Sequence, residues 1–291
     1  MKRALTMVLL TLASLLVGIP NSAVARSAQT CDHPDWVQGD FYPAGSIVRY
    51  AADGALYIAE HDNPGYSPVV STWYWDPFTC PPDQPAEFVV TQAQFGQMFP
   101  NPNPFFSYQG LVSVLGTFPE FGTTGDPVVR KREVAAFLAN ASHATSGLAF
   151  VKELDESNYP DYCNPALVFG CPAGAASYYG RGPLQLSWNY NYKQAGDALG
   201  VNLLVNPWLV EENEAISWRT ALWFWTTQIA GGIITPHRAM VLGAGFGETI
   251  RTLNGALECN GVNPAAVQDR VNTYLAFTQI LGVSPGRNLP C

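Results

Sequence analysis

Apolar residues recur at helical spacing through the C-terminal part of the chain. Val134, Phe137, Leu138 and Ala141 fall at i, i+3, i+4 and i+7, which is one face of an α-helix. Asp126-Pro127 stands in front of them as a capping residue followed by proline, and Gly147 stands behind. The pattern predicts a helix from Asp126-Pro127 to near His143. A second helix is predicted over about 211–228, with Ile216, Trp223 and Phe224 turned inward. A third begins at Asn263-Pro264, sets Val267, Val271, Tyr274, Leu275 and Thr278 on one side, and stops at Gly282. Residues 88–291 thus read as one larger, mainly helical domain without internal repeats.

The N-terminal part has a different rhythm. Ser46–Tyr50 and Ala55–Ala59 are strand-like runs between the turn signals Pro43-Ala44-Gly45, Asp53-Gly54 and Asn63-Pro64-Gly65. Residues 31–80 therefore read as a small all-β module. A span of about 50 residues is marginal for an unaided core, so a covalent staple is expected. Trp36, Tyr42, Tyr50, Tyr57, Tyr66, Trp73, Tyr74 and Trp75 are more aromatics than so small a core can hold. Exposed aromatic faces stack on the C–H faces of pyranose rings; the competing reading is that all of them fill core and turns. Pro81-Pro82-Asp83-Gln84-Pro85 makes 81–87 a short, proline-stiffened linker.

The first 25 residues set the compartment. Lys2 and Arg3, an apolar run from Ala4 to Ile19, and Ala23-Val24-Ala25 form the pattern of a cleaved secretory signal peptide over 1–25. The run is shorter than the ~20 residues a membrane span needs, so a secreted, extracellular protein is expected. Six cysteines in a secreted chain imply disulfides, and six allow fifteen connectivities. Spacing favours Cys31–Cys80, Cys163–Cys171 and Cys259–Cys291, because each pair closes one local segment. No CxxC pair occurs and the four histidines are far apart in sequence, so neither a metal nor a cofactor is expected.

Composition narrows the partners. Charged residues make up 13% of the 291 and the formal net charge is -8, which argues against a nucleic-acid partner. Hydrophobic residues reach 47%, enough for a substantial core, and no later segment is apolar enough to span a membrane. The stretch Tyr178–Tyr192 mixes amides, hydroxyls and aromatics with almost no charge. Amides and hydroxyls both donate and accept hydrogen bonds, as sugar hydroxyls require. A turn-rich structural segment is an equally good reading of that stretch alone.

Longer motifs carry a resemblance. Ala135–Ala139, Ser142-His143, Tyr162-Cys163, Cys171–Gly174, Tyr178–Tyr192, Ala221–Trp225, Leu253–Cys259 and the ending Asn288–Cys291 occur in one order. Through 88–291 the chain resembles the family 19 glycoside hydrolases, the chitinases of plants and of some bacteria, and most of all their compact actinobacterial type. The resemblance implies a mainly α (α+β), lysozyme-like, two-lobed domain with a sugar cleft. The small module, through Trp36, Tyr42, Gly45, Val48, Tyr50, Tyr57-x-Ala59, Pro64 and Trp73, resembles the chitin-binding modules of carbohydrate-binding families 5 and 12. Trp36, Tyr57, Trp73 and Trp75 are its expected sugar contacts. Many members carry Trp just after the Tyr-x-Ala, where Glu60-His61-Asp62 stands here; His61 or the Trp73-Tyr74-Trp75 cluster would take that place.

One departure matters for chemistry. Inverting glycoside hydrolysis uses one carboxylic acid to protonate the leaving oxygen and one carboxylate to activate water. In the family the acid is a Glu following the His of Ser-His-Glu-Thr; here the sequence reads Ser142-His143-Ala144-Thr145. Ala144 has no proton to give. The resemblance assigns Glu153 as general base, Ser187 to positioning the water, and His143, Gln185, Tyr190, Asn191 and Asn254 to substrate binding. Glu258 and Arg270 become a charge pair that tunes the base. Asp155, Glu156 and Glu133 are the neighbouring acids; Glu133 lies helical turns back and Glu156 in the base segment, so neither is well placed to replace the missing group. The expected function is a secreted, monomeric chitinase-family protein acting on or binding chitin and N-acetylglucosamine oligomers. Its endo-hydrolysis, with inversion, is expected to be strongly reduced. The alternatives are a non-catalytic, lectin-like chitin binder and a hydrolase of another, peptidoglycan-like glycan.

Overall fold

The computed structural model describes residues 33–78 and 88–291. The leader at 1–25, the linker at 81–87 and the Cys31–Cys80 pair lie outside these residues. The chain divides into two compact units, one ending at Asp83 and the other beginning at Gln84.

In the first unit, β1 (Ile47–Arg49), β2 (Leu56–Ala59) and β3 (Trp75–Phe78) form an antiparallel sheet in the order β1-β2-β3. Val48 pairs with Tyr57 and Ala59 with Trp75. The first two strands sit inside the predicted runs. The third carries Pro77, which lacks a backbone donor and is tolerated because β3 is an edge strand. The small core is Val48, Ala59 and Trp75, with Trp36, Tyr42, Tyr57 and Tyr74 packed against it. Trp75 is therefore a core residue and not a surface contact. It is 1% exposed, and its indole N–H donates to the Tyr66 carbonyl at 2.8 Å.

The second unit contains α1 (Gln92–Met98), α2 (Tyr108–Val114), α3 (Pro127–Thr145), α4 (Asn189–Leu199), α5 (Leu209–Glu212), α6 (Glu214–Thr227), α7 (Pro236–Val241), α8 (Phe246–Glu258) and α9 (Pro264–Ile280). It is mainly helical, as expected. The predicted start of α3 holds: Asp126 accepts hydrogen bonds from the backbone N–H groups of Val128 and Val129 at 2.8 and 2.9 Å. The end comes at Thr145, where Ser146 turns left-handed with φ 52. The periodic face was too narrow a reading, since every residue from Glu133 to Ala141 is buried. A helix buried all round is a core element, and α3 is central to the unit.

The helix predicted over 211–228 is interrupted. Asn213 adopts extended backbone, ends α5, and caps α6 by accepting from the Ile216 N–H at 3.1 Å. Trp223 is buried, while Ile216 and Phe224 are half-buried against a second, smaller apolar cluster around Tyr178, Tyr192 and Leu203. On α9 the expected face is buried except for Leu275, which is 37% exposed; Phe277 takes the inward position. Cys163–Cys171 and Cys259–Cys291 are both bonded.

Candidate active site

A cavity of about 710 Å³ opens beside the C-terminal end of α3. His143, Ala144, Glu153, Gln185, Ser187, Tyr190, Asn191, Asn254 and Arg270 all line it. Of the cleft residues inferred from sequence, only Glu258 does not; it sits behind the wall, 4% exposed. Residues drawn from α3, α4, α8, α9 and two loops thus converge on one space.

Glu153 is held by backbone pairing. Its N–H donates to the Gly180 carbonyl at 2.9 Å, and Gly182 donates to the Val151 carbonyl at 2.7 Å. Its Oε1 accepts from Asn158 Nδ2 at 3.0 Å and from the Tyr162 hydroxyl at 3.1 Å. Its Oε2 accepts one long bond, from the Gly180 N–H at 3.3 Å. Burial, then the hydrogen bond to Glu153, pushes the Tyr162 hydroxyl up to about 12, so it remains a donor.

The Glu258–Arg270 pair forms, two-pronged, at 2.7 and 2.8 Å. Burial acts to raise the Glu258 pKa, but the Arg270 hydrogen bonds and charge outweigh it and the net shift is downward. The pair has two further partners. Arg270 donates to Asn140 Oδ1 at 3.0 Å, and Asn254 donates to Glu258 Oε1 at 2.7 Å. The carboxylate of Glu153 instead takes its contacts from Asn158, Tyr162 and Gly180. Asn254 reaches the pair from a residue where α8 departs from helical backbone geometry.

The cavity-lining loop that carries Gln185 and Trp188 is strained. Gln185 and Trp188 carry φ values of 52 and 73 without being glycine, and such outliers cluster at functional sites. Gln185 donates to the Gly182 carbonyl at 2.9 Å, leaving its own amide oxygen to accept. Asn191 donates to the Ser187 carbonyl at 3.0 Å. Trp188 stacks on Tyr190, 5.6 Å between centroids, and meets Tyr162 edge-on. Behind the loop, Arg181 lies 3.5 Å from the Tyr179 ring centroid while Tyr159 stacks on the same ring at 3.6 Å. Two groups that close must occupy opposite faces, so Tyr179 is sandwiched.

His143 Nδ1 lies 2.6 Å from Asp269 Oδ2. Asn140 and Tyr162 line the cavity, while Asp269 and Asn158 contact His143 and Glu153 from outside its wall; none of the four was expected there. Only Tyr162 had a signal, its place beside Cys163 in a family motif.

Glu153 is the one carboxylate among the described cavity-lining residues. Glu133 is fully buried elsewhere, accepting from Gly122 N–H, Trp225 Nε1 and His237 Nδ1 at 3.0, 3.1 and 2.6 Å. Asp155 and Glu156 are exposed and do not line the cavity. No cluster of His, Cys, Asp and Glu suited to a metal occurs among the described residues.

Residues 89–291 match the family model described as chitinase class I, glycoside hydrolase family 19. The chain belongs to this family. Chitinase 6 of Oryza sativa subsp. japonica is 44% identical over 188 residues, 64% of this chain and 66% of the rice protein. Endochitinase 2 of Solanum tuberosum is 38% identical over 247 residues, covering 73% and 77%. Among solved structures, chitinase C from Streptomyces griseus HUT6037 superposes with a TM-score of 0.70 at 60% identity, over 71% of this chain and 99% of that one. A further bacterial family 19 chitinase gives 0.69 at 58% identity, over 70% and 100%. The helical unit is therefore a family 19 chitinase fold, and the cavity lies within it.

The first unit offers a separate surface. Trp73 is 63% and Tyr66 55% exposed. His61 stacks on Trp73 at 4.2 Å, and Tyr66 on Tyr74 at 5.2 Å. Trp36 is half-buried against Tyr50, and half-buried Tyr57 donates to Asp53 Oδ2 at 3.0 Å. Of the four expected sugar contacts, Trp73 is the one left open.

Proposed function

We propose that this family 19 protein is secreted and directed at chitin, binding β-1,4-linked N-acetylglucosamine chains in the cavity but hydrolysing them poorly. One observation carries the reading: Glu153 is the lone carboxylate among the described residues of the cavity wall, and Ala144, which the family resemblance sets at the acid position, lines the same wall. A sugar alkoxide is a poor leaving group, and general acid catalysis contributes roughly 10²–10⁴-fold. Glu153 is the general base, Ser187 positions the water, and Gln185, Tyr190, Asn191, Asn254 and His143 contact sugar. The β unit binds the polymer through Trp73 and its stacked neighbours. Disulfides and the leader pattern support export.

The same lone carboxylate favours a second reading, a lectin-like chitin binder. Release of reducing ends from N-acetylglucosamine hexamer, compared with the Ala144→Glu variant, separates the two. We expect a nearly silent parent and a gain of roughly 10²–10⁴-fold on restoring the acid. Silence from both proteins, with hexamer still bound, would leave the lectin. A parent as fast as the variant would overturn the assignment of Ala144.

A further inference from the structure

The cavity keeps a complete half of a two-carboxylate reaction, and that half has its own substrate class. Glu153 Oε1 is occupied by two donors, the Asn158 amide and the Tyr162 hydroxyl. Oε2 meets only the Gly180 N–H, at 3.3 Å. A carboxylate oxygen has lone-pair directions for two donors, so Oε2 is the oxygen with room for a water. Glu133, Asp155 and Glu156 do not line the wall. Among the described residues, no carboxyl group on that wall besides Glu153 is there to protonate a departing oxygen.

We propose that the protein is a hydrolase of chitooligosaccharide glycosides whose leaving group departs as a stable anion, with Glu153 Oε2 as the base. The inference rests on the chitin-cleft reading above. Water attacks the anomeric carbon from the face opposite the leaving group. Its proton passes to Glu153 Oε2 as the new C–O bond forms. The glycosidic C–O bond breaks with its electron pair on the leaving oxygen, and an acidic phenol leaves as phenolate. The sugar is released as the α-anomer, and Glu153 returns its proton to solvent. No acid is required, because the benefit of protonating a leaving oxygen shrinks as that oxygen becomes less basic.

The test uses the full-length protein with 2,4-dinitrophenyl β-chitobioside and with the hexamer. The parent should turn over the dinitrophenyl glycoside above buffer background, release the α-anomer first by NMR, and leave the hexamer nearly untouched. Glu153→Gln should abolish this turnover. Ala144→Glu should raise hexamer hydrolysis by roughly 10²–10⁴-fold. Hexamer binding is measured alongside by calorimetry, and the anomer released by the parent keeps the test decisive where a variant fails to fold. Release of the β-anomer, or turnover that survives in Glu153→Gln, would overturn Glu153 as the base. Hexamer bound but the activated glycoside untouched would overturn the proposal and leave the cleft reading standing. Neither bound nor cleaved would remove both.

Discussion

Glu133 is a buried carboxylate that the proposed chemistry does not use. It joins the Gly122 backbone, the Trp225 indole and the His237 imidazole, on three separate segments. Removing one partner of such a pair leaves the other uncompensated, so Glu133→Ala should cost about 3–5 kcal/mol. The pair also gives stability a pH dependence. Burial lowers the His237 pKa, but the hydrogen bond and charge of Glu133 outweigh it, and the folded value lies above the ordinary one. A raised folded value means the stabilisation is fully present below the unfolded histidine's value of about 6.5. It is lost as pH rises through the higher folded value. Urea midpoints measured upward from pH 6 should decline for the parent, and the decline should flatten in Glu133→Gln. An unchanged slope in that variant would mean other groups govern it.

At the scale of elements, the loop from Gly180 to Leu186 decides where cavity-lining groups such as Gln185 point. A Cβ added to Gly180 would stand 2.8 Å from Gln185 Oε1, closer than carbon and oxygen approach without a bond. The obstructing atom ends a flexible side chain, so Gly180→Ala should move Gln185 rather than unfold the loop. The expected outcome is weaker hexamer binding by calorimetry with a Tm shift of only a few degrees. Equal binding would show that Gln185 contributes nothing to the cleft. Local signals made much of this architecture legible. Asp126 and Asn263 cap the helices they were expected to start, accepting from the first-turn N–H groups. The break at Asn213 was hidden because the polar run Glu211–Glu214 reads equally as one exposed first turn of a single helix, although Asn is itself a capping residue. Strand β3 was hidden by Pro77, which argues against a strand unless the edge position is known. In the site, motif positions were readable one by one. Asp269 and Asn140 were not, because each matters through a partner about 130 positions away in sequence, as the Arg270–Asn140 separation of 130 illustrates.

For the whole molecule, the cavity and the exposed Trp73 belong to separate compact units, and the proposed function gives each a distinct substrate form. Trp73 is 63% exposed, with His61 stacked on it at 4.2 Å and Tyr74 at a near-perpendicular 4.7 Å. A single exposed indole stacked on a sugar contributes roughly 0.5–1.5 kcal/mol. Trp73→Ala should therefore weaken binding to insoluble chitin by about two- to tenfold, read from depletion isotherms. Its affinity for soluble hexamer should remain that of the parent, because Trp73 does not line the cavity. Trp75→Ala should behave differently: it empties the centre of a three-residue core, at a cost of about 3–5 kcal/mol. Loss of polymer binding in that variant should come with unfolding of the β unit, visible as a lost transition in calorimetric scans. If Trp73→Ala leaves insoluble chitin binding intact, polymer adhesion does not run through this face. If it weakens hexamer binding equally, the two surfaces are not independent sites. Polymer affinity lost with hexamer affinity kept is the result that a two-site, chitin-directed protein requires.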